Sequence, residues 1–253
     1  MTLHVHEYGP ADGRPVLLLH GLNGHGGRWR PLASRELADF RVLAPDLRGH
    51  GDSTQLPPWT LEQHAADVVE VLDALGLDRV PLVGQSFGGA VALHIAASAP
   101  ERISRIALLD PGTGLSPERC AEGAAGELNR PTWPDIDTVR AFFTRFWPAA
   151  AVEVEVPANF VQVDGRWHMR YSAAMAVTSW SEIARPPVLP PRGMPSLLLR
   201  ATKADFVSPE FVTALRDRLG ADLTVHDVDA GHQLHFERPE EVGALLREFL
   251  CEA

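Results

Sequence analysis

The sequence contains little cysteine and little basic charge. Its 253 residues include only two cysteines, Cys120 and Cys251, which lie far apart and form no CxxC pair. This spacing argues against a disulfide framework or a zinc knuckle and favours reduced thiols in a cytosolic setting. Lysine and arginine total 23 against 33 acidic residues, which gives a net charge of −10. Because nucleic-acid binding needs a basic stripe, we expect no nucleic-acid partner.

Signals for export and for membrane insertion are also missing. The first ten residues, "MTLHVHEYGP", contain no basic segment followed by the apolar run of a secretory signal. No apolar run reaches the length that a membrane span requires. We therefore expect a soluble, cytoplasmic protein with no membrane partner. A hydrophobic fraction of 45% is enough to build a substantial core.

The chain alternates short apolar runs with amphipathic segments. Several runs, such as "VLLL" and "IALL", are continuously apolar, as in strands that helices cover on both faces. Seven strands are predicted: Leu3–His6, Val16–His20, Arg41–Ala44, Val80–Val83, Ile103–Leu109, Ser196–Arg200 and Leu223–Val228. Helices are predicted over 61–75 behind a Thr60–Gln63 capping pair, and after the Ser208-Pro209 pair. This alternation predicts an α/β fold with a doubly wound, mostly parallel sheet.

Residues 112–193 interrupt this alternation and contain four of the six tryptophans. Because predicted sheet strands lie on both sides, we interpret the segment as a helical cap (a lid) inserted into a core made of 1–111 and 194–253. An aromatic-rich cap over a sheet edge is typical of an apolar binding pocket. Five aromatic residues are the substrate-binding candidates: Trp133, Phe142, Phe143, Trp147 and Trp180.

The stretch "PLVGQSFGGA", residues 81–90, has the spacing of a nucleophile turn. A dinucleotide-binding fingerprint would need glycine at the position of Ser86, and a phosphate-binding loop would need a Gly-Lys-Ser/Thr ending. What remains is G-x-S-x-G, in which Gly84 and Gly88 let the chain bend sharply around Ser86. The following helix directs free N–H groups toward the serine, which favours an oxyanion there.

A serine nucleophile needs a base and an acid that orients the base. Asp205 lies in the loop after the strand in "LLLRATKAD", and His232 follows the next strand in "HDVDAGH". Both would therefore lie at the carboxyl edge of the sheet, where open α/β folds place their sites.

Four motifs in this order resemble the α/β-hydrolase superfamily over essentially the whole chain. They are "LLLHGLNG", "APDLRGHGDS", the GQSFG turn and "GHQLHFERPEEV". The resemblance implies that Ser86 is the nucleophile, His232 the base and Asp205 the orienting acid. It also implies an oxyanion hole made of the backbone N–H groups of Leu22 and Phe87.

One departure leaves the acid open. Relatives often show Gly-x-x-Asp before the acid, whereas this chain reads "RATKAD" with Ala201 four residues before Asp205. Pro209, four residues after Asp205, matches the family. The alternative acid is Asp110, because some relatives carry the acid after that earlier strand. His235 is the alternative base.

The resemblance implies hydrolysis of an ester or lactone of a small to moderately sized apolar substrate through an acyl-enzyme, without an organic cofactor or metal. Alternatives on the same residues are a carbon–carbon bond hydrolase, a cofactor-free perhydrolase and a non-catalytic small-ligand receptor. Carbon–carbon hydrolysis of a dienoate would need a cation for the substrate carboxylate. The cap candidates are Arg140, Arg145, Arg166 and Arg170, for which a place on a helix surface is the alternative interpretation. His4 and His6 share a strand face but have no acidic partner nearby in sequence, so we predict no metal site.

Overall fold

The computed structural model describes residues 3–251 and contains one seven-stranded sheet and one two-stranded hairpin. The strands are β1 (Val5–Tyr8), β2 (Arg14–Leu19), β3 (Phe40–Pro45), β4 (Val80–Gln85), β5 (Ile103–Leu109), β6 (Phe160–Val163), β7 (Arg166–Met169), β8 (Ser196–Ala201) and β9 (Leu223–Val228). The helices are α1 (Arg30–Arg35), α2 (Leu61–Ala74), α3 (Phe87–Ser98), α4 (Pro117–Leu128), α5 (Ile136–Phe143), α6 (Ala149–Asn159), α7 (Ala173–Ile183), α8 (Pro209–Leu219), α9 (Leu234–Glu237) and α10 (Pro239–Cys251).

The large sheet has the strand order β1-β3-β2-β4-β5-β8-β9. Strand β1 runs antiparallel to β3, and every other neighbouring pair in this sheet is parallel. The predicted fold class is therefore confirmed. The first strand begins two residues later than predicted, whereas β5 and β9 have the predicted bounds.

Two hydrophobic layers cover the sheet, one on each face. Leu17 and Leu19 of β2 belong to one layer, and Val16 and Leu18 belong to the other. Both sets are fully buried, because successive strand side chains point to opposite faces. This burial on both faces explains the continuously apolar sequence of the central strands.

Two predicted helix starts are confirmed by their capping hydrogen bonds. Thr60 Oγ1 accepts from the amide of Gln63 at 3.2 Å, at the start of α2. Ser208 Oγ accepts from the amide of Phe211 at 3.1 Å, at the start of α8. Each side chain satisfies an amide that has no partner within the first turn of its helix.

The chain between β5 and β8, which we call the cap segment (residues 112–193), contains α4 to α7 and the β6–β7 hairpin. The hairpin was not predicted from the sequence. A separate hydrophobic cluster fills this segment and consists of Trp133, Val139, Phe143, Val152, Val156 and Phe160. Within residues 3–251, no helix has the length and apolar composition that crossing a membrane would require.

Candidate active site

Ser86 occupies the sharp turn that the sequence predicts between β4 and α3. Its backbone has φ 52° and ψ −120°, a conformation that L-residues rarely adopt. A Cβ atom at Gly84 would lie 2.4 Å from the carbonyl oxygen of Gly88, and one at Gly88 would lie 2.5 Å from that of Leu19. Both positions therefore require glycine for the turn to pack.

His232 lies within hydrogen-bond distance of Ser86. The chain reaches His232 after β9, and its Nε2 atom is 2.7 Å from Ser86 Oγ. The Nδ1 atom of the same ring is 2.6 Å from Asp110 Oδ2. Because a carboxylate only accepts hydrogen bonds, Nδ1 carries the proton and Nε2 is left to accept from the serine hydroxyl.

Asp110 is the acid that contacts His232. It follows β5 directly and its side chain is only 1% exposed. Its Oδ1 atom accepts from the amide of Ala201 at 3.1 Å, so the backbone fixes one carboxylate oxygen and His232 binds the other. Asp110 also has a positive φ of 45°, which marks a second strained turn beside that of Ser86.

Backbone hydrogen bonds connect the turn of Ser86 to the segment that carries Asp110. The amide of Ser86 donates to the carbonyl of Leu109 at 3.1 Å, and the amide of Gly112 donates to the carbonyl of Ser86 at 3.0 Å. The positions of Ser86 and Asp110 relative to each other are therefore fixed by main-chain contacts.

The predicted contact between Asp205 and His232 is wrong. The Asp205 side chain is 86% exposed and lies 2.6 Å from Arg119 Nη1 of α4. The hydrogen bond from Arg119 holds the pKa of Asp205 below its usual value. Strand β8 ends at Ala201, so Asp205 lies four residues into a loop that turns toward solvent. Asp110, named as the alternative from the sequence, occupies the place next to His232.

The two amides predicted to form an oxyanion hole lie in the loop after β2 and at the first residue of α3. Among the described residues, neither the amide of Leu22 nor that of Phe87 donates to a protein acceptor. His50 Nε2 donates to the carbonyl of Leu22 at 2.5 Å, which fixes the peptide group beyond that residue. Burial lowers the pKa of His50 to about 4, so this ring is neutral at pH 7.

The alternative base, His235, does not share the environment of His232. Its ring is buried, with its centroid 4.7 Å from that of Trp29 and 4.3 Å from that of Phe236. Burial lowers the pKa of His235 to about 3. The structure thus brings His232 to Ser86 and packs His235 in the interior.

The five aromatic substrate-binding candidates pack mainly within the cap segment. Trp133 and Phe143 are 5% and 8% exposed and belong to its hydrophobic cluster, against which Phe142 and Trp147 pack. Trp180 packs against Gly123, where a Cβ atom would lie 2.4 Å from the indole. Their part in substrate binding stays a prediction.

A buried ion pair joins the cap segment to the loop after β2, which sequence reasoning missed. Arg28 Nη2 donates to Glu155 Oε2 of α6 at 2.5 Å, and His25 Nε2 lies 3.3 Å from Glu155 Oε1. Burial alone would raise the pKa of Glu155, but Arg28 and His25 lower it to about 2. Asn159 Nδ2 also donates to the carbonyl of Asn23 at 2.5 Å, next to Leu22.

The cap arginines offered as carboxylate-binding cations have partners within the protein. Arg140 pairs with Asp137, Arg166 binds Thr132, and Arg170 pairs with Asp52. Arg145 lies over the rings of Phe142 and Phe146.

A groove of about 630 Å³ opens beside the site. Leu115 and Phe206 supply apolar surface, and Arg119, Asp205 and Glu122 are among its charged residues. A Cβ atom at Gly112 would lie 3.5 Å from Ser86 Oγ and 3.7 Å from Phe206 Cδ1. The groove therefore shares Phe206 with the immediate surroundings of the serine.

Comparison with known proteins identifies the family of this chain. Residues 14–134 match the family model described as alpha/beta hydrolase fold. The chain is 38% identical over 257 aligned positions to the lipase LipV of Mycobacterium tuberculosis, covering 99% of this chain and 98% of that protein. The chain therefore belongs to the α/β-hydrolase family.

Two further similarities extend over nearly the full length. The esterase YbfF of Escherichia coli is 26% identical over 243 positions, which cover 93% of this chain and 92% of that protein. The crystal structure of an E-2-(acetamidomethylene)succinate hydrolase superposes with a TM-score of 0.87 at 24% identity, covering 99% of this chain and 95% of that chain. At that identity the superposition shows a shared fold.

Proposed function

We propose that this protein is a serine hydrolase that cleaves carboxylic esters through a covalent acyl-enzyme. The observation that carries the proposal is the continuous hydrogen-bonded chain from Ser86 Oγ to His232 Nε2 at 2.7 Å and from His232 Nδ1 to Asp110 Oδ2 at 2.6 Å. A serine hydroxyl becomes an effective nucleophile when a base receives its proton and an acid orients that base.

The reaction proceeds in two halves. Ser86 Oγ attacks the ester carbonyl carbon while His232 takes the hydroxyl proton and then delivers it to the leaving alcohol. In the second half, His232 takes a proton from water, which attacks the carbonyl carbon of the acyl-enzyme, and returns that proton to Ser86 Oγ as the bond to the acyl group breaks and the acid leaves. Asp110 holds the ring in the required tautomer and stabilises the imidazolium that forms in each half.

The negative charge that develops on the carbonyl oxygen meets the amides of Leu22 and Phe87. Both lack a protein acceptor within the described chain. Phe87 follows Ser86 directly, and Gly21, next to Leu22, lies against the serine, since a Cβ atom there would lie 3.1 Å from Ser86 Cβ. Losing one such donor typically costs about 3–4 kcal/mol of transition-state stabilisation.

The substrate that we propose is an ester or lactone with an apolar group of small to moderate size. Leu115 and Phe206 supply the apolar part of the groove beside the site, next to the charged side chains of Arg119 and Glu122. Residues 112–193 act in this proposal as a cap over the sheet edge. The full-length similarity to a lipase and an esterase supports ester chemistry.

Labelling with a fluorophosphonate probe tests the nucleophile. We expect stoichiometric labelling of the parent protein, located at Ser86 by peptide mass spectrometry, and none of Ser86→Ala. Ser98→Ala is the matched control, because Ser98 is exposed at the other end of the same helix. Equal labelling of the parent and Ser86→Ala contradicts the assignment.

A panel of aryl acetates, butyrates and octanoates, together with simple lactones, tests the substrate class. We expect turnover with a preference that changes with acyl length. Probe labelling without turnover of any ester or lactone contradicts the ester proposal and favours carbon–carbon hydrolysis. Ligand binding without labelling or turnover favours a receptor.

A further inference from the structure

An aromatic ring from outside the Ser86–His232–Asp110 set covers His232. Phe206, in the loop between β8 and α8, has its ring centroid 3.6 Å from that of His232, with 11° between the ring planes. The two rings are therefore stacked face to face. Hydrogen bonds to Ser86 and Asp110 direct the two ring nitrogens, while this contact restricts the tilt of the ring plane.

Arg119 fixes Phe206 from the cap segment. The Cζ atom of Arg119 lies over the Phe206 ring at 4.1 Å from its centroid. Two groups that lie over one ring at such distances occupy its opposite faces, so Arg119, Phe206 and His232 form a stack. Asp205 anchors the arginine, because Arg119 Nη1 lies 2.6 Å from Asp205 Oδ1 and donates to the carbonyl of Asp205 at 3.0 Å.

We propose that Phe206 is a positioning residue for His232, and that Arg119 and Asp205 hold Phe206 in place. Phe206 has this role only if His232 is the base, as proposed above. During turnover His232 carries a positive charge, which the face of an aromatic ring favours. The charge of Arg119 on the opposite face opposes this effect, and the carboxylate of Asp205 offsets it. Asp205 thus acts on the site through Arg119 and Phe206.

Substitution of Phe206 tests the role with a conservative rescue. We expect Phe206→Leu to lower kcat by about 10- to 100-fold with little change in KM, since a misplacement of about 1 Å in a catalytic group costs on the order of 100-fold. Phe206→Tyr keeps the stacked ring and should stay within about threefold of the parent. Phe146→Leu is the matched control, because Phe146 is 59% exposed in the cap segment. A parental kcat in Phe206→Leu, or an equal loss in Phe206→Tyr, overturns the proposal.

Arg119→Gln tests the outer part of the stack. We expect a smaller loss of kcat, about three- to tenfold, because Phe206 remains but loses its support. If Phe206→Leu impairs turnover while Arg119→Gln leaves it at the parental rate, the part assigned to Arg119 and Asp205 is wrong.

An NMR measurement separates this proposal from the proposed function. The stacked ring should shift the carbon-bound protons of the His232 imidazole upfield in the parent and in Phe206→Tyr but not in Phe206→Leu. This signature does not require activity. Failure of Ser86 labelling with the shift present contradicts the hydrolase proposal alone, whereas labelling without the shift contradicts the positioning role alone.

A second, independent cluster lies where the edge strand β1 pairs with the carboxyl end of β3. His4 precedes β1, His6 lies within it, and β1 pairs antiparallel with β3 so that Val5 is opposite Pro45. This pairing places both histidines beside the buried Asp46, and one ligand atom from each of the three residues lies within 4.8 Å of the others. These histidines have no acidic partner nearby in sequence, but in the fold Asp46, directly after the neighbouring strand β3, supplies one.

We infer that His4, His6 and Asp46 form a binding site for a divalent cation such as Zn²⁺. His6 Nε2 lies 3.1 Å from Asp46 Oδ1. This is close to the ligand separation of about 3.3 Å that tetrahedral Zn²⁺ sets with bonds of about 2.0–2.1 Å. The cation would replace the proton in this hydrogen bond, and the exposed His4, whose ligand atom lies within 4.8 Å of the other two, would turn inward as the third ligand. Hydrogen bonds from the amide of Gly26 to Oδ1 at 2.7 Å and from the amide of Asp52 to Oδ2 at 3.0 Å orient the carboxylate of Asp46.

Isothermal titration of the chelator-treated protein with ZnCl₂ tests this site without any assay of activity. We expect one Zn²⁺ per chain, a rise in the thermal unfolding midpoint, and at least tenfold weaker binding in His4→Ala and in His6→Ala. His226→Ala, at an exposed position of β9, is the control and should bind like the parent. The absence of binding, or equal affinity in all four proteins, overturns the inference.

Discussion

Two aspartates follow neighbouring parallel strands of this sheet, and their environments differ almost completely. Asp110 comes directly after β5, is 1% exposed, and binds His232 and a backbone amide. Asp205 lies four residues beyond β8, is 86% exposed, and pairs with Arg119. In this fold the backbone holds the Asp110 carboxylate next to His232, whereas the loop after β8 turns the Asp205 carboxylate toward solvent and Arg119.

The same contrast separates two arginine–carboxylate pairs. Arg28 and Glu155 are 1% and 0% exposed, whereas Arg119 and Asp205 are 29% and 86% exposed. Water screens an exposed pair, so it adds little to stability, while a buried charge that loses its partner is left in a medium of low polarity.

The largest expected effect comes from replacing the buried aspartate. We expect Asp110→Asn to lower kcat by about 10³- to 10⁴-fold, because the amide no longer fixes the tautomer in which His232 accepts the serine proton. Steady-state kinetics with an aryl ester, together with circular dichroism to check folding, measures this effect. Asp205→Asn is the matched control and should lose at most a few-fold. A reversal of the two effects would return the role of the acid to Asp205.

The next effect concerns stability. We expect Glu155→Gln to lower the free energy of unfolding by about 3–5 kcal/mol, because it leaves Arg28 buried without a counter-charge. For the exposed pair, Asp205→Asn should cost less than about 1 kcal/mol. Urea denaturation of both variants at pH 7 measures the difference. If the two variants lose similar amounts of unfolding free energy, burial does not determine how much each ion pair contributes to stability.

The smallest expected effect is a change in the pH dependence of stability, and it comes from a buried histidine. His64 is fully buried against Phe87, and burial lowers its pKa to about 3. Below pH 6.5 the His64 ring binds a proton in the unfolded chain, whereas in the folded protein it stays neutral down to about pH 3. His64 therefore makes the folded state less stable by about 2 kcal/mol as the pH falls from 7 to 5.

We expect His64→Leu to remove that part of the acid sensitivity, since among the described residues neither ring nitrogen of His64 has a hydrogen-bond partner. The control is His226→Asn, at an exposed position where the pH dependence should match that of the parent. Urea denaturation at pH 7 and at pH 5 gives the comparison. If the free energy of unfolding of His64→Leu falls between pH 7 and pH 5 by as much as that of the parent, other groups control the response to acid.

The sequence predicts the sheet because its signals are local. Apolar runs, capping residues and the glycine spacing around Ser86 each act within a few positions, and the structure confirms the strands, two helix caps and the turn. His232 lies at the predicted strand end and contacts the predicted serine.

The acid could not be predicted in the same way, because its identity depends on the path of a loop. Asp110 and Asp205 both follow strands of the correct edge, and the sequence does not show which loop turns toward His232. The stacking of Phe206 on His232 and the pairing of Glu155 with Arg28 are contacts between distant segments. No local pattern of residues encodes such contacts.

Backbone hydrogen bonds connect the turn of Ser86 to the end of β5, so the candidate site consists of two separately supported parts: the pair of Ser86 and Asp110, and the loop that carries His232. Ser86 and Asp110 belong to one of these parts, since the amide of Ser86 donates to the carbonyl of Leu109 and the amide of Gly112 donates to the carbonyl of Ser86. His232 reaches this pair from a separate loop after β9. A change in the loop after β9 would therefore alter the position of the histidine and leave the pair of Ser86 and Asp110 in place, whereas a change at the end of β5 would alter both members of that pair.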